Sequence, residues 1–151
     1  MSHKETVRAV ITKIVFVIML LVLSCYHPAA SNDYTITLTI YTHGTHKLWT
    51  WSLNTDSILI IKHSTNNEPD STILSRKLTA AEKENLQATI KTIPLASLKS
   101  AYINRQVQGE IHREFDIRIG SERKKITVYF MEVEPLEKIN TVMRSFAEFN
   151  Y

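Results

Sequence analysis

Strict alternation of apolar and polar residues from Thr35 to Leu53 constrains the fold more than any other feature of this sequence. A period of two places alternate side chains on opposite faces of a β-strand, so the segment is predicted to be extended with one apolar face. His43-Gly44 interrupts the pattern and predicts a two-residue turn that sets Leu38 opposite Trp49. We therefore expect a β-hairpin whose apolar face is buried.

The same pattern continues after the hairpin. Ile58 to His63 predicts a third strand, and the four-residue turn before it sets Trp51 opposite Ile60. This register keeps the apolar side chains of all three strands on one face. Thr72 to Lys77 is long enough for a short edge strand.

A second hairpin is predicted near the carboxyl end of the chain. Residues Ile111 to Ile119 alternate, Gly120-Ser-Glu122 turns the chain, and the apolar positions resume up to Phe130. The pattern places Ile111 towards the core and His112 towards solvent.

Two segments change to helical periodicity. Thr79 and Glu82 have the spacing of a capping box and predict a helix from Ala80 to Thr92. Pro135 suits the first turn of a final helix, and Leu95 to Tyr102 is predicted to form a short helical turn. The apolar stripes are Leu86, Ile90 and Ile93 in the first helix, and Leu136, Ile139, Val142 or Met143, and Phe146 in the last.

The order of these elements predicts an α+β fold. It is β-β-β-α-β-β-α, and no strand has the continuous apolar run that is typical of a parallel sheet. The predicted architecture is therefore a two-layer one, an antiparallel β-sheet with two helices packed on one face.

The first 24 residues predict an export signal. Three basic residues, Lys4, Arg8 and Lys13, precede the uncharged run Ile14 to Leu23. This run is shorter than the roughly 20 apolar residues that a membrane-spanning helix needs. It leads to Cys25, the single cysteine of the chain, and Val22-Leu23-Ser24-Cys25 resembles the lipobox of bacterial lipoproteins.

The sequence combines this lipobox-like segment with four further features: a Thr-rich hairpin, Lys77-Leu-Thr79 at the start of a helix, Leu95 to Tyr102 after it, and Pro135 before the last helix. Together these features resemble the small uncharacterised lipoproteins of Bacteroidetes-type bacteria. The resemblance implies cleavage before Cys25 and acylation of its thiol and amino group, with palmitate-type chains as a membrane anchor. Tyr26 after the cysteine implies the outer membrane where the organism has one. The resemblance carries no activity.

The predicted cut divides the chain into a signal peptide (residues 1–24), a spacer (25–33) and a single α+β domain (34–151). Removing the signal takes away three basic residues and one acidic residue, so 18 and 15 become 15 and 14. The formal net charge then falls from +3 to +1, which gives no argument for nucleic-acid binding. With one cysteine the domain has no internal disulfide and depends on its apolar core.

Candidate chemistry is sparse in this sequence. His46 and His63 are weak candidates for a metal site on the open face of the sheet, and the expectation is that no metal or other cofactor is bound. Glu114 and Asp116 share a strand face, but neighbouring arginines and lysines predict a solvated, charge-balanced surface. No serine lies in a nucleophile elbow and no glycine-rich phosphate loop is present, so no catalytic residue is assigned and no enzyme is expected.

The open face of the predicted sheet is more apolar than a solvated face requires. Its candidate interaction residues are Tyr41, His46, Leu48, Leu59, Ile61, His63 and Tyr129. The expected function is that of a membrane-anchored lipoprotein whose small non-catalytic domain binds or supports another cell-envelope component, such as a protein. Two alternatives stay open: an envelope metal-binding protein or enzyme that uses the same face, and an exported immunity-type inhibitor.

Overall fold

The computed structural model describes residues 33–42, 46–66, 68–106 and 111–147. The export signal, Cys25, most of the spacer and the His43-Gly44 turn lie outside the described residues, and what was predicted of them stays a prediction. Within the described part of the chain, no helix is both long and apolar enough to cross a membrane.

The described residues form one mixed α+β domain with a seven-stranded sheet. Its strands are β1 (Tyr34–Thr42), β2 (His46–Asn54), β3 (Ser57–Lys62), β4 (Ser71–Lys77), β5 (Ala101–Ile103), β6 (His112–Ile119) and β7 (Glu122–Tyr129), and its helices are α1 (Ala80–Lys91) and α2 (Glu134–Ser145). The strands lie in the order β4-β3-β2-β1-β6-β7-β5. The α+β class is confirmed. The predicted five-strand order is not, because the sheet has two additional strands, β4 at one edge and β5 at the other.

The first hairpin is present in a different register from the predicted one. Leu38 pairs with Trp51 rather than Trp49, and the register shifts between Ile40 and Tyr41, so that Leu48 is an extra residue on β2. The predicted register is therefore wrong by two residues. The buried face is unchanged because a slip of two residues keeps every side chain on its own face.

The pairing of β2 with β3 agrees with the sequence pattern. Trp51 lies opposite Ile60 and Leu53 opposite Ile58, as predicted. Asn54 fixes the turn between the strands, because its side-chain oxygen accepts hydrogen bonds from the backbone N–H groups of Asp56 and Ser57, both at 2.8 Å.

The segment after α1 was only partly predicted. Leu95–Ser97 forms the expected helical turn, and Leu95 and Leu98 are buried. The chain then forms the short strand β5, which pairs in parallel with Thr127 to Tyr129 of β7. The prediction of a wholly antiparallel sheet is wrong at this edge, since three residues carry too little pattern to indicate a strand.

The second hairpin turns at Gly120, whose φ of 57° is in the left-handed region that favours glycine. Two of its residues differ from the prediction. Ile111 precedes β6 and is 50% exposed, whereas His112 is only 6% exposed. The alternation therefore identified the hairpin but exchanged the environments of these two side chains.

The predicted capping box is present at the start of α1. The Thr79 hydroxyl accepts from the Glu82 backbone N–H at 3.3 Å, and the Glu82 carboxylate accepts from the Thr79 backbone N–H at 2.8 Å. Arg76 of β4 donates two further hydrogen bonds to this carboxylate, at 2.8 and 2.6 Å, and one to the Phe146 carbonyl at 2.8 Å. This arginine thus joins the edge strand to the beginning of α1 and to the residue that ends α2.

The core consists of alternate strand residues and the apolar stripes of both helices. Its largest fully buried side chains are Trp51, Phe115, Ile36, Leu38, Leu53, Ile58, Ile60, Leu86, Ile117, Ile126, Leu136 and Ile139. The predicted stripe of α2 is confirmed, with Met143 fully buried and Val142 packed against the core. The core residues of each strand occupy alternate positions, which leaves the other face of the strands for the candidate site.

Candidate functional site

The alternate strand positions that point away from the core define the outer face of the sheet. On the first three strands it consists of Thr35, Thr37, Thr39, Tyr41, Thr50, Ser52, Leu59 and Ile61; on β6 and β7 it consists of His112, Glu114, Asp116, Arg118, Arg123, Lys125, Thr127 and Tyr129. Threonines therefore occupy its centre, charged residues one side, and aliphatic residues the other.

The structure distributes the predicted interaction residues over different parts of this face. Tyr41 and Tyr129 come together, because β6 lies between β1 and β7 and places one residue between them. Leu59 and Ile61 share the middle of β3, which is separated from β6 by two strands, and both are half-buried. His46 is exposed at the start of β2 and pairs with Thr42.

Between the two tyrosines lies His112, a residue that was expected in solvent. Its ring stacks on Tyr41 with centroids 4.6 Å apart and planes 3° apart, and on Tyr129 with centroids 4.6 Å apart and planes 14° apart. The tyrosines exclude water from the imidazole, and Nδ1 is buried without a hydrogen-bond partner among the described residues. Burial raises the pKa of Tyr41, as does hydrogen bonding to Glu114.

A groove of about 690 Å³ lies at the same end of the sheet. Its lining is mainly apolar and includes Leu48, Trp49, Ile111, Val128, Phe130 and Met131, with His112, Arg113 and Arg144 as basic members. Phe130 has a φ of 46°, a left-handed conformation that is uncommon for a residue with a large side chain. Arg113 is already engaged, with Glu137 at 2.6 Å and the Met131 carbonyl at 3.0 Å.

His63 is held by two side chains at the other side of the outer face. Its Nε2 lies 2.8 Å from the Thr50 hydroxyl, and its Nδ1 lies 2.7 Å from the Asp70 carboxylate. The second oxygen of Asp70 accepts the Ser64 backbone N–H at 3.1 Å. These contacts lower the pKa of Asp70, the Ser64 hydrogen bond most and the His63 hydrogen bond next, so the carboxylate is ionised at neutral pH.

Among the described residues, the geometry does not give His46 and His63 the further donors that a metal site would need. Both ring nitrogens of His63 are already bonded to protein atoms. Among the described residues, no group of three or more histidine, cysteine, aspartate or glutamate side chains is arranged to hold an ion.

The two carboxylates on β6, Glu114 and Asp116, interact with different side chains. Asp116 receives two hydrogen bonds from Arg123, at 2.9 and 2.7 Å, and these lower the pKa of its carboxyl. Glu114 instead acts on Tyr41, whose pKa it raises together with burial. The prediction of a charge-balanced surface is confirmed for Asp116.

The tryptophans belong to the core rather than to a ligand platform. Trp51 is fully buried, and Trp49 packs against the core with the Lys62 ammonium 5.9 Å from its ring centroid.

No family model matches the chain, and no curated protein matches it. Its function is therefore argued from its residues.

Sequence reasoning missed two contributors to these arrangements, His112 and Asp70. The stack at His112 needs the pairing of β1 with β6, which are separated by about seventy residues, and no local pattern indicates that pairing. Asp70 lies in a polar loop, where an aspartate is ordinary. A signal was available only for His63, whose position at the end of a strand places it beside the open face.

Proposed function

We propose that this chain is an exported lipoprotein, anchored to a membrane through lipid on Cys25, whose α+β domain binds a protein of the cell envelope. Residues 1–24 would be removed as the signal, and 25–33 would join the lipid to the domain at 34–151. The outer membrane is the proposed site where the organism has one, by the analogy given for Tyr26. The anchor rests on the apolar run and the lipobox.

The binding surface that we propose is the outer face, left open by helices that cover only the other side of the sheet. Two observations support this two-layer arrangement. Strand residues are buried at alternate positions, and the buried side chains of α1 and α2 belong to the same core as those strand positions. Leu86 and Leu136, for example, are fully buried there.

The observation that carries the proposal is the position of Leu59 and Ile61 on β3. Both side chains lie on the outer face and keep part of their surface in water. Their cross-strand neighbours are small and polar, with Ser52 and Ser75 beside Leu59, and Thr50 and Thr72 beside Ile61. Two aliphatic side chains in a polar surround are typical of the centre of a binding surface with a polar rim.

The test is capture of the partner from detergent-solubilised membranes by the tagged full-length chain. We expect Leu59→Lys and Ile61→Lys each to abolish capture of a single protein, because a buried lysine in an apolar contact costs several kcal/mol unless it is paired. Circular dichroism and thermal unfolding of each variant establish that the domain is still folded.

Ile103→Lys is the matched control. Ile103 is 49% exposed on β5, at the edge of the sheet opposite β4, and lies beside Tyr129 on the outer face. The same chemical change is therefore made on that face but at a distance from β3. Capture should survive it. Loss of capture in the control, or retention in both β3 variants, would contradict the assignment of the contact to Leu59 and Ile61. Capture of a toxin would favour the immunity-type alternative.

A further inference from the structure

A continuous chain of hydrogen bonds runs across the outer face from a hydroxyl through an imidazole to a carboxylate. Its members are Thr50 on β2, His63 directly after β3, and Asp70 directly before β4, joined at 2.8 and 2.7 Å. The backbone also fixes this geometry, since the His63 N–H donates to the Leu48 carbonyl at 2.9 Å. The hydroxyl thus lies on a strand, and the imidazole and the carboxylate lie at the two ends of the loop that joins β3 to β4.

The direction of each proton follows from the charges. Asp70 is ionised and can only accept, so His63 Nδ1 carries the hydrogen in the contact between them. Whenever the imidazole is in its neutral form, its lone pair lies on Nε2, and the Thr50 hydroxyl then donates to it. This is the arrangement in which a histidine acts as a general base towards a hydroxyl, with a carboxylate holding its tautomer.

We propose that Thr50 is a nucleophile that accepts acyl groups from activated esters, with His63 as its general base and Asp70 as a positioning residue. This inference goes beyond the binding function and does not depend on it. His63 is only 16% exposed at its side chain, whereas Asp70 is 50% exposed. The base is thus shielded beside a half-buried hydroxyl, while the carboxylate lies at the edge of the site.

The proposed reaction has two steps. Thr50 Oγ1 attacks the ester carbonyl carbon while its proton moves to His63 Nε2, and the bond to the leaving oxygen breaks as that oxygen takes the proton. The product is an alcohol or phenol and an acyl ester on Thr50. Water then attacks this ester with His63 again accepting a proton, and Thr50 regains its hydrogen as the carboxylic acid is released.

The substrate class follows from what surrounds the hydroxyl. β2 is an interior strand whose backbone pairs with β1 and β3, so its amides are not available to stabilise an oxyanion. Loss of one such donor alone costs about 100- to 1,000-fold in other enzymes. General-base assistance contributes roughly 100- to 10,000-fold, which suffices for an ester with a good leaving group but not for an amide. Ile61, directly opposite Thr50, offers an apolar contact for a small acyl group.

The test is acylation of the purified full-length chain by 4-nitrophenyl acetate, followed by release of 4-nitrophenol and by peptide mapping of the acetyl adduct. We expect an adduct on Thr50, absent in Thr50→Val and restored in Thr50→Ser. His63→Gln should slow acylation about 100-fold, the loss expected when a general base is removed.

Asp70→Asn tests the positioning role separately. Its acylation rate should fall and the Nδ1–H tautomer of His63, followed by ¹⁵N NMR, should become less populated, while Asp70→Glu should restore both. Thr141→Val is the matched control, because Thr141 is an exposed threonine on helix α2, outside the outer face, and should be dispensable. The proposal is overturned if acetyl is found only on lysines, or if Thr50→Val and His63→Gln react like the unaltered chain.

Discussion

At the scale of single residues, His112 is the clearest case of an environment set by distant parts of the chain. Its neighbours on β6, Arg113 and Glu114, make ordinary polar contacts, but its own ring lies between two tyrosines at 4.6 Å. The stack supplies apolar contact on both faces of the imidazole. The buried Nδ1 has no hydrogen-bond partner in the part of the chain that the structure describes, and it therefore lowers the stability that this contact provides.

A phenylalanine should suit this position at least as well as the histidine does. His112→Phe keeps a flat ring between the tyrosines and removes a buried polar atom, so we expect a gain of about 1 kcal/mol in the free energy of unfolding in urea. His112→Ala should instead lose about 2 kcal/mol, because a space is left between the rings. His46→Phe, at an exposed position of β2, is the control and should change stability by less than about 0.5 kcal/mol.

A clear loss of stability in His112→Phe would contradict this account. It would mean that the imidazole has a hydrogen-bond partner that stabilises the domain, and the stack would then be a polar site.

At the scale of elements, the ion pair between Arg76 and Glu82 connects strand β4 to the capping box of α1. Its hydrogen bonds, with the Arg76 guanidinium as the main cause, lower the pKa of Glu82 to about 2. A lowered pKa in the folded state means that the carboxylate stabilises the fold only while it is ionised. The contribution is thus complete above the ordinary value of 4.5 and is lost as the pH falls towards 2.

Glu82→Gln should therefore cost about 1 kcal/mol at neutral pH, allowing for the partial exposure of both side chains. The difference between the variant and the unaltered chain should shrink between pH 4.5 and 2, because over this range the unfolded chain takes up a proton on Glu82 while the folded chain still holds the carboxylate ionised. Urea unfolding at a series of pH values measures it. Glu84→Gln, at an exposed position of the same helix, should show no such pH dependence, and an equal effect there would exclude the capping carboxylate as the cause.

Several of these elements could be predicted from sequence patterns alone. Both helices were predictable, because the capping box at Thr79 and the early Pro135 are local signals. The pairing of β2 with β3 was predictable because a short turn leaves few registers. The first hairpin was predicted two residues out of register. One residue arises at the turn, where Thr42 pairs with His46 rather than with Thr45, and the other is a β-bulge at Leu48 that alternation alone does not reveal.

At the scale of the whole molecule, the unpredictable features are those that depend on non-local pairing. The sheet places β6 against β1 and β5 against β7, and neither pair is joined by a hairpin. Such contacts bring together residues with no shared sequence pattern, which is why the tyrosines at 41 and 129 were named as surface residues but not as a stack around His112. The relay through Asp70 has the same origin, because the loop before β4 must fold back on the end of β3.

The proposed function depends most on the membrane anchor of the whole molecule. That anchor requires lipid on the thiol of Cys25. A single acyl chain holds a protein to a bilayer only marginally and reversibly, whereas two or three hold it durably, because each buried methylene contributes about 0.8 kcal/mol. Cys25→Ala removes the thiol that would carry the diacylglycerol. We expect that variant to incorporate no labelled palmitate and to accumulate as uncleaved precursor, seen as a slower band on a denaturing gel.

Ser24→Ala is the matched control for this experiment. It changes the adjacent residue but keeps a small side chain before the cut, so processing and labelling should continue. Two results would contradict the anchor. If Cys25→Ala were cleaved and labelled like the unaltered chain, the lipid would lie elsewhere. If neither chain took up label while both were cleaved, residues 1–24 would act as an ordinary secretory signal, and the domain would have to reach its partner without a membrane tether.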